Sequence, residues 1–158
     1  MLTKTRSTTT AALRRSNPNY PQSNKIVIAD HIYLASALIK SPKNTTARFY
    51  LHNVVSNQFN ISANIETFVC GIMKPTGENE GGFNIYYDAS NVMNIGESAT
   101  IRNVMLFDLT VMFGATIADY IYNLEQSSIE TGGMIFKKFF PNNYYEYNAG
   151  EIVHVSGL

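Results

Sequence analysis

GESATIRNVMLFDLTVMF, residues 96–113, is the stretch that decides the fold. From Ala99 the odd positions read Ala99, Ile101, Asn103, Met105, Phe107, Leu109, Val111 and Phe113. The even positions read Thr100, Arg102, Val104, Leu106, Asp108, Thr110 and Met112. One row is almost wholly apolar and the other is mixed, the pattern of a strand that lays one face on a core. Gly96, Glu97 and Ser98 supply a turn before it, and Gly114 ends it. Unbroken, such a strand would run roughly 50 Å at about 3.3 Å per residue, which is long for a globular sheet. A bend or bulge is therefore expected near Asn103 or Asp108.

The flanking sequence repeats the theme. Residues 58–73 set Phe59, Ile61, Ala63, Ile65, Thr67 and Val69 on one side and Asn60, Ser62, Asn64 and Glu66 on the other, and read as one half-buried strand. Residues 46–55 alternate through Ala47, Phe49 and Leu51. Residues 30–40 admit two readings: Asp30 capping a helix that turns Leu34, Leu38 and Ile39 inward, or a strand through Ile32, Leu34 and Leu38. The strand is the reading adopted. Residues 115–125 place Tyr120, Tyr122 and Leu124 on one face and also read as a strand, with a helix as the alternative. Residues 25–29, 83–88 and 134–140 read as short strands. Residues 144–147 and 151–155 form a last pair around a turn at 148–150. About eight or nine strands at turn-punctuated spacing, with little helix, imply an all-β domain over residues 25–158, an antiparallel β-sandwich or small barrel.

Residues 1–24 differ. Thr and Ser dominate, Pro18 and Pro21 interrupt regular structure, and only Leu2, Leu13 and Tyr20 are bulky and apolar. Such a segment buries too little surface to order itself and is expected to be an extended arm held by something outside the domain. The chain has 12 basic and 12 acidic residues. Five of the basic ones lie in residues 1–29, where there is no acid, leaving seven against 12 in the remainder. A basic arm and an acidic body allow the arm of one copy to lie on the body of another. Charged residues make up only 15% of the chain, against about a quarter in ordinary soluble domains. Zero net charge offers little protection against self-association. Both features point to an assembled protein. The start lacks the apolar core of a secretory signal, and no run approaches the roughly 20 apolar residues of a membrane span. Its acid-free, Arg/Ser/Thr-rich composition fits a mitochondrial transit peptide, but with Met1 in place it is read as a retained arm.

The residues that carry chemistry do not converge. Of His31, His52 and His154 only His31 has a neighbouring acid, Asp30, and adjacent strand residues point to opposite faces. Cys70 is the sole cysteine and sits in an apolar run, so it reads as a core thiol. The Gly81-Gly82 and Gly132-Gly133 pairs lack phosphate-loop spacing, and the acidic loop at 76–82 lacks the register of a calcium loop. No catalytic residue, metal site, cofactor or small-molecule substrate is expected. The candidate functional residues are instead interfacial: Arg14, Arg15 and Tyr20 on the arm, and Tyr144, Tyr145 and Tyr147 in the C-terminal aromatic cluster, where a phenol suits a half-wet contact. The arm's cations also allow a weak genome contact by neutralising phosphates.

A basic Ser/Thr-rich arm ahead of an all-β body, poor in charge and rich in Asn and Tyr, resembles the organisation of small virion proteins: jelly-roll coat and penton proteins, or phage decoration and connector proteins. The resemblance is architectural and covers the whole chain. It implies a jelly-roll-like sandwich and a non-enzymatic structural subunit located in the virion. Its partners would be copies of itself and other virion proteins. The alternative is a ligand-binding β module, such as a carbohydrate-binding or adhesin domain, that uses exposed tyrosines.

Overall fold

A computed structural model of the chain describes residues 2–3, 11–15, 27–77, 83–88, 92–128, 147–148 and 151–152. Within these, the chain forms β1 (Leu2–Thr3), β2 (Ala11–Arg15), β3 (Tyr33–Lys40), β4 (Thr45–Leu51), β5 (Val54–Val55), β6 (Phe59–Ile61), β7 (Glu66–Met73), β8 (Phe83–Tyr87) and β9 (Ser98–Asp108). Two helices follow, α1 (Leu109–Phe113) and α2 (Ala115–Ser128), then β10 (Tyr147–Asn148) and β11 (Glu151–Ile152). One sheet runs β1-β9-β3-β7. A second runs β2-β8-β4-β5, with β6 also pairing β4. Every strand pair in both is antiparallel. The chain adopts the expected antiparallel sandwich, but as a mostly β rather than an all-β fold, since α1 and α2 are helical.

The core lies between the sheets. Tyr33, Ala35, Ala37 and Ile39 of β3 meet Ala47, Phe49 and Leu51 of β4 and Phe83, Ile85 and Tyr87 of β8, all buried. Alternation in β4 is strict, with Thr46, Arg48 and Tyr50 turned outward and only half-buried. β3 is buried on both faces, because a second cluster forms on its far side: Ile32, Leu34, Cys70 and Ile72 pack against Leu109 and Ala118 of the helices. The sandwich thus gains a third, helical layer on the outside of the four-stranded sheet.

The bulge expected near Asn103 is present. Ser36 pairs with Met105 but Leu38 pairs with Arg102, so β9 carries an extra residue, and Asn103 has φ +51°. That residue reverses the phase of the strand. Ala99 and Ile101 face the inter-sheet core before the bulge. Leu106 does so after it, which turns Phe107 to the helices.

Three sequence readings are corrected. The strand over 96–113 ends at Asp108, and Leu109–Phe113 is helical because the Asp108 carboxylate caps the amide of Val111. Residues 115–125 belong to helix α2: the positions it buries or half-buries include Ala118, Ile121, Tyr122 and Glu125, the i, i+3, i+4, i+7 stripe of a helix. Residues 58–73 are two strands, β6 in one sheet and β7 in the other, with Asn64 at φ +61° in the crossing. In 25–29 the described residues contribute only a bridge position at Val27 before a turn at Ala29–Asp30. Residues 134–140 lie outside the described residues. Of the final pair, Tyr147–Asn148 and Glu151–Ile152 are paired as expected. The described parts of residues 1–24 are both strands: Leu2–Thr3 on β9 and Ala11–Arg15 on β8.

Candidate interaction surface

The helical layer begins where β9 stops. Asp108 Oδ1 accepts from the Val111 amide at 3.0 Å, while its Oδ2 lies 2.8 Å from His31 Nδ1. The Leu109 amide donates to the Ile32 carbonyl at 2.8 Å, and the Ile32 amide donates to Thr110 Oγ1 at 2.9 Å. These bonds fasten the first turn of α1 to the entry of β3. Gly114, at φ +83°, ends α1, its amide donating to the Thr110 carbonyl, and its own carbonyl accepts from Ala118 in α2. A left-handed position of this kind suits glycine and lets the chain turn the corner between the helices.

Anchoring Leu109 and Ala118 beneath leaves the outer side of the corner bare. Residues 111–117, VMFGATI, are all exposed. Val111 is 71% exposed, Met112 54%, Phe113 42%, Ile117 52% and Tyr120 60%. Single exposed apolar residues are ordinary, whereas a contiguous group marks an interaction site. The composition, with Met and aromatics and no Lys or Glu, is that of an interface centre.

Two side-chain pairs flank the corner among the described residues. His31 holds Asp108, and Lys74 Nζ donates to Asp119 Oδ1 at 2.7 Å. The hydrogen bond that Lys74 donates to Asp119 raises the Lys74 pKa. Tyr33 stacks near His31, its hydroxyl accepts from the Ile28 amide, and burial above all pushes its pKa up to about 12, with Asp108 adding to the rise. The His31–Asp108 pair therefore does structural work: one carboxylate caps α1 and pins the turn before β3. Among the described residues no three His, Cys, Asp or Glu side chains gather to hold a metal ion. Cys70 is buried beneath the helices.

A second outward surface lies on β4 and β8. Tyr50 and Tyr86 meet edge to face at 5.4 Å between centroids, and the Arg48 guanidinium lies over the Tyr86 ring at 5.8 Å. The rings cross at 77°, so they do not form one flat platform for a sugar.

The residues singled out from sequence fall elsewhere. Arg14 and Arg15 lie in β2, in register with Asn84 and Phe83, and Tyr147 lies in β10, in register with Ile152. Tyr20, Tyr144 and Tyr145 lie outside the described residues. Sequence reasoning missed Val111, Met112, Phe113, Ile117 and Tyr120. Its strand readings put Val111 and Phe113 in the apolar, core-facing row and Tyr120 on a face with Tyr122 and Leu124. The usable signal was Asp108 three residues before Val111 together with Gly114, a cap and a stop around one helical turn. Comparison with known proteins finds no matching family model, no matching curated protein and no matching solved structure.

Proposed function

We propose that this chain is a non-enzymatic structural subunit of a virus or phage particle, built on a jelly roll. The observation that carries the reading is the nesting of strand pairs. β4 pairs with β5 and β6, β3 with β7, β2 with β8 and β1 with β9. Each pair encloses the one before it, as in a long hairpin rolled into two sheets, the arrangement used by capsid and lectin domains. The low charge, zero net charge and exposed uncharged corner suit a subunit that lives against neighbours.

In this reading the protein acts by geometry. The sandwich is a rigid block, and the N-terminal segment carrying Arg14, Arg15 and Tyr20 makes contacts between subunits. In support, Leu2–Thr3 and Ala11–Arg15 are the outermost strands of their sheets, where a segment can pass to a second copy by strand exchange. The C-terminal tyrosines Tyr144, Tyr145 and Tyr147 are proposed as further contact residues, with other virion proteins as partners and a weak phosphate contact from the arm. The test is electron microscopy of the purified full-length chain at increasing concentration. Closed shells or rings of fixed diameter are expected, and only dispersed single copies would overturn the reading.

The second reading, a ligand-binding β module, would have to use the Arg48–Tyr50–Tyr86 face without a flat stacking platform. Glycan binding lost in Tyr86→Ala, by a chain that stays single, would establish it instead.

A further inference from the structure

The helical corner has features that the proposed role does not by itself require, and their chemistry limits what can cover it. Its exposed side chains are Val111, Met112, Phe113, Ile117 and Tyr120, and residues 109–118 contain no charged group. The flanking carboxylates in sequence, Asp108 and Asp119, are each engaged by a side chain of the same chain, His31 and Lys74.

This electrostatic pattern separates the kinds of occupant. A nucleic acid or anionic membrane surface is bound through Lys and Arg, and the corner offers none. A strongly charged protein partner would find no complementary group. A second identical corner brings no charged side chain from residues 109–118, and the two flanking carboxylates, Asp108 and Asp119, are already engaged by His31 and Lys74. An apolar, uncharged patch is self-complementary in the sense that a two-fold contact demands.

Area agrees with a modest contact. Five side chains at roughly 100 Å² each, half or less of what a large aromatic buries, offer about 500 Å² per copy. Two copies would bury about 1,000 Å², the lower bound of a specific interface. Such a contact is reversible on its own and becomes durable when other contacts in a particle act with it.

We propose that the α1–α2 corner is a two-fold docking surface for a second copy of this chain. The proposal rests on the assembly reading and adds its contact. It is tested by sedimentation velocity of the full-length chain over a thousand-fold concentration range, beside Ile117→Asp and Phe113→Asp. Both side chains are exposed, and far-UV circular dichroism checks that each variant is folded. The wild type is expected to associate reversibly, and each variant to need at least tenfold higher concentration for the same association. In a Cys70→Ser background, Ile117→Cys is expected to give a disulfide-linked dimer on mild oxidation, which a contact with a different protein would not give. Association unchanged in both aspartate variants would overturn the corner while leaving assembly intact. A wild type that stays single at every concentration would overturn both. A single chain that binds vesicles of neutral lipid through Phe113 would overturn the corner's self-docking in favour of a membrane surface.

Discussion

Asp88 offers a sharp test of how the sandwich is closed. It is 1% exposed and sits at φ +59°, just past the end of β8. Its carboxylate accepts from the Val92 amide at 2.8 Å, from the Met93 amide at 3.3 Å to both oxygens, and from Thr45 Oγ1 at 3.2 Å. Its own amide donates to the Thr46 carbonyl. One buried side chain thus ties the β8–β9 connection to the start of β4. Asp88→Ala removes the acceptor and strands the Met93 amide and the Thr45 hydroxyl, while the Val92 amide, on an exposed residue, can turn to water. At about 1–3 kcal/mol for each of the two stranded groups, the loss is about 2–6 kcal/mol. Alanine in the left-handed region adds about 1 kcal/mol more. Asp88→Gly removes the side chain without that strain, so it should cost less than alanine by about that amount. Asp88→Asn keeps one acceptor oxygen and tolerates the backbone, and should cost about 1 kcal/mol. Urea unfolding followed by circular dichroism at fixed protein concentration measures all three; there is no Trp to follow by fluorescence. An alanine variant within 0.5 kcal/mol of the wild type, or an asparagine variant as damaged as the alanine one, would refute the reasoning.

Other consequences are independent of this one. A Cβ added at Gly71 would lie 2.7 Å from Ser56 Cβ and 3.1 Å from Phe59 Cζ, so Gly71→Ala should cost about 1–3 kcal/mol and speed amide exchange around residues 56–61; unchanged stability would show that the crossing is slack. Tyr33 and Tyr87 both have raised pKa values, chiefly from burial, Tyr33 up to about 12. Their contribution is complete below the ordinary tyrosine value near 10 and is lost as pH rises above it, for Tyr33 toward about 12, because the unfolded chain ionises first. Spectrophotometric titration should therefore show a late-ionising fraction among the ten tyrosines, and a single transition near 10 would contradict it. The Lys74–Asp119 pair is half-exposed, so Lys74→Met should cost less than 1 kcal/mol, an effect that salt suppresses; a larger loss in stability melts would mean the pair does more than brace α2. Cys70 should react with a thiol reagent only as fast as the chain opens, and immediate modification of the folded protein would place it at the surface.

The strands were legible in the sequence wherever one face meets the core and the other meets water. β4 follows from period-two alternation alone, whereas β3, buried on both faces, admitted a helix as well as a strand. The bulge in β9 was legible as a length problem, since so long a strand had to break. The helices were not legible by the same rule, because a run such as Leu-Thr-Val-Met-Phe alternates as well as it winds, and only the cap at Asp108 and the stop at Gly114 decide it. The crossing at Asn64 hid for a related reason: alternation continues through it, while the left-handed backbone that moves the chain between sheets leaves no periodic trace. The exposed corner was invisible because its apolar residues look like core residues until the layer beneath is known to be filled by Leu109, Ala118 and Ile121. Arg14 and Arg15 were noticed for their charge, whereas their segment's place at a sheet edge depends on long-range pairing with β8.

The mass of the full-length chain in solution as a function of concentration, measured by light scattering, tests the assembly proposal most directly. A structural subunit should reach a fixed integer multiple of 17.6 kDa and hold it as concentration rises further. A chain that remains at 17.6 kDa from dilute to concentrated solution would contradict the proposal that this sandwich is built to assemble.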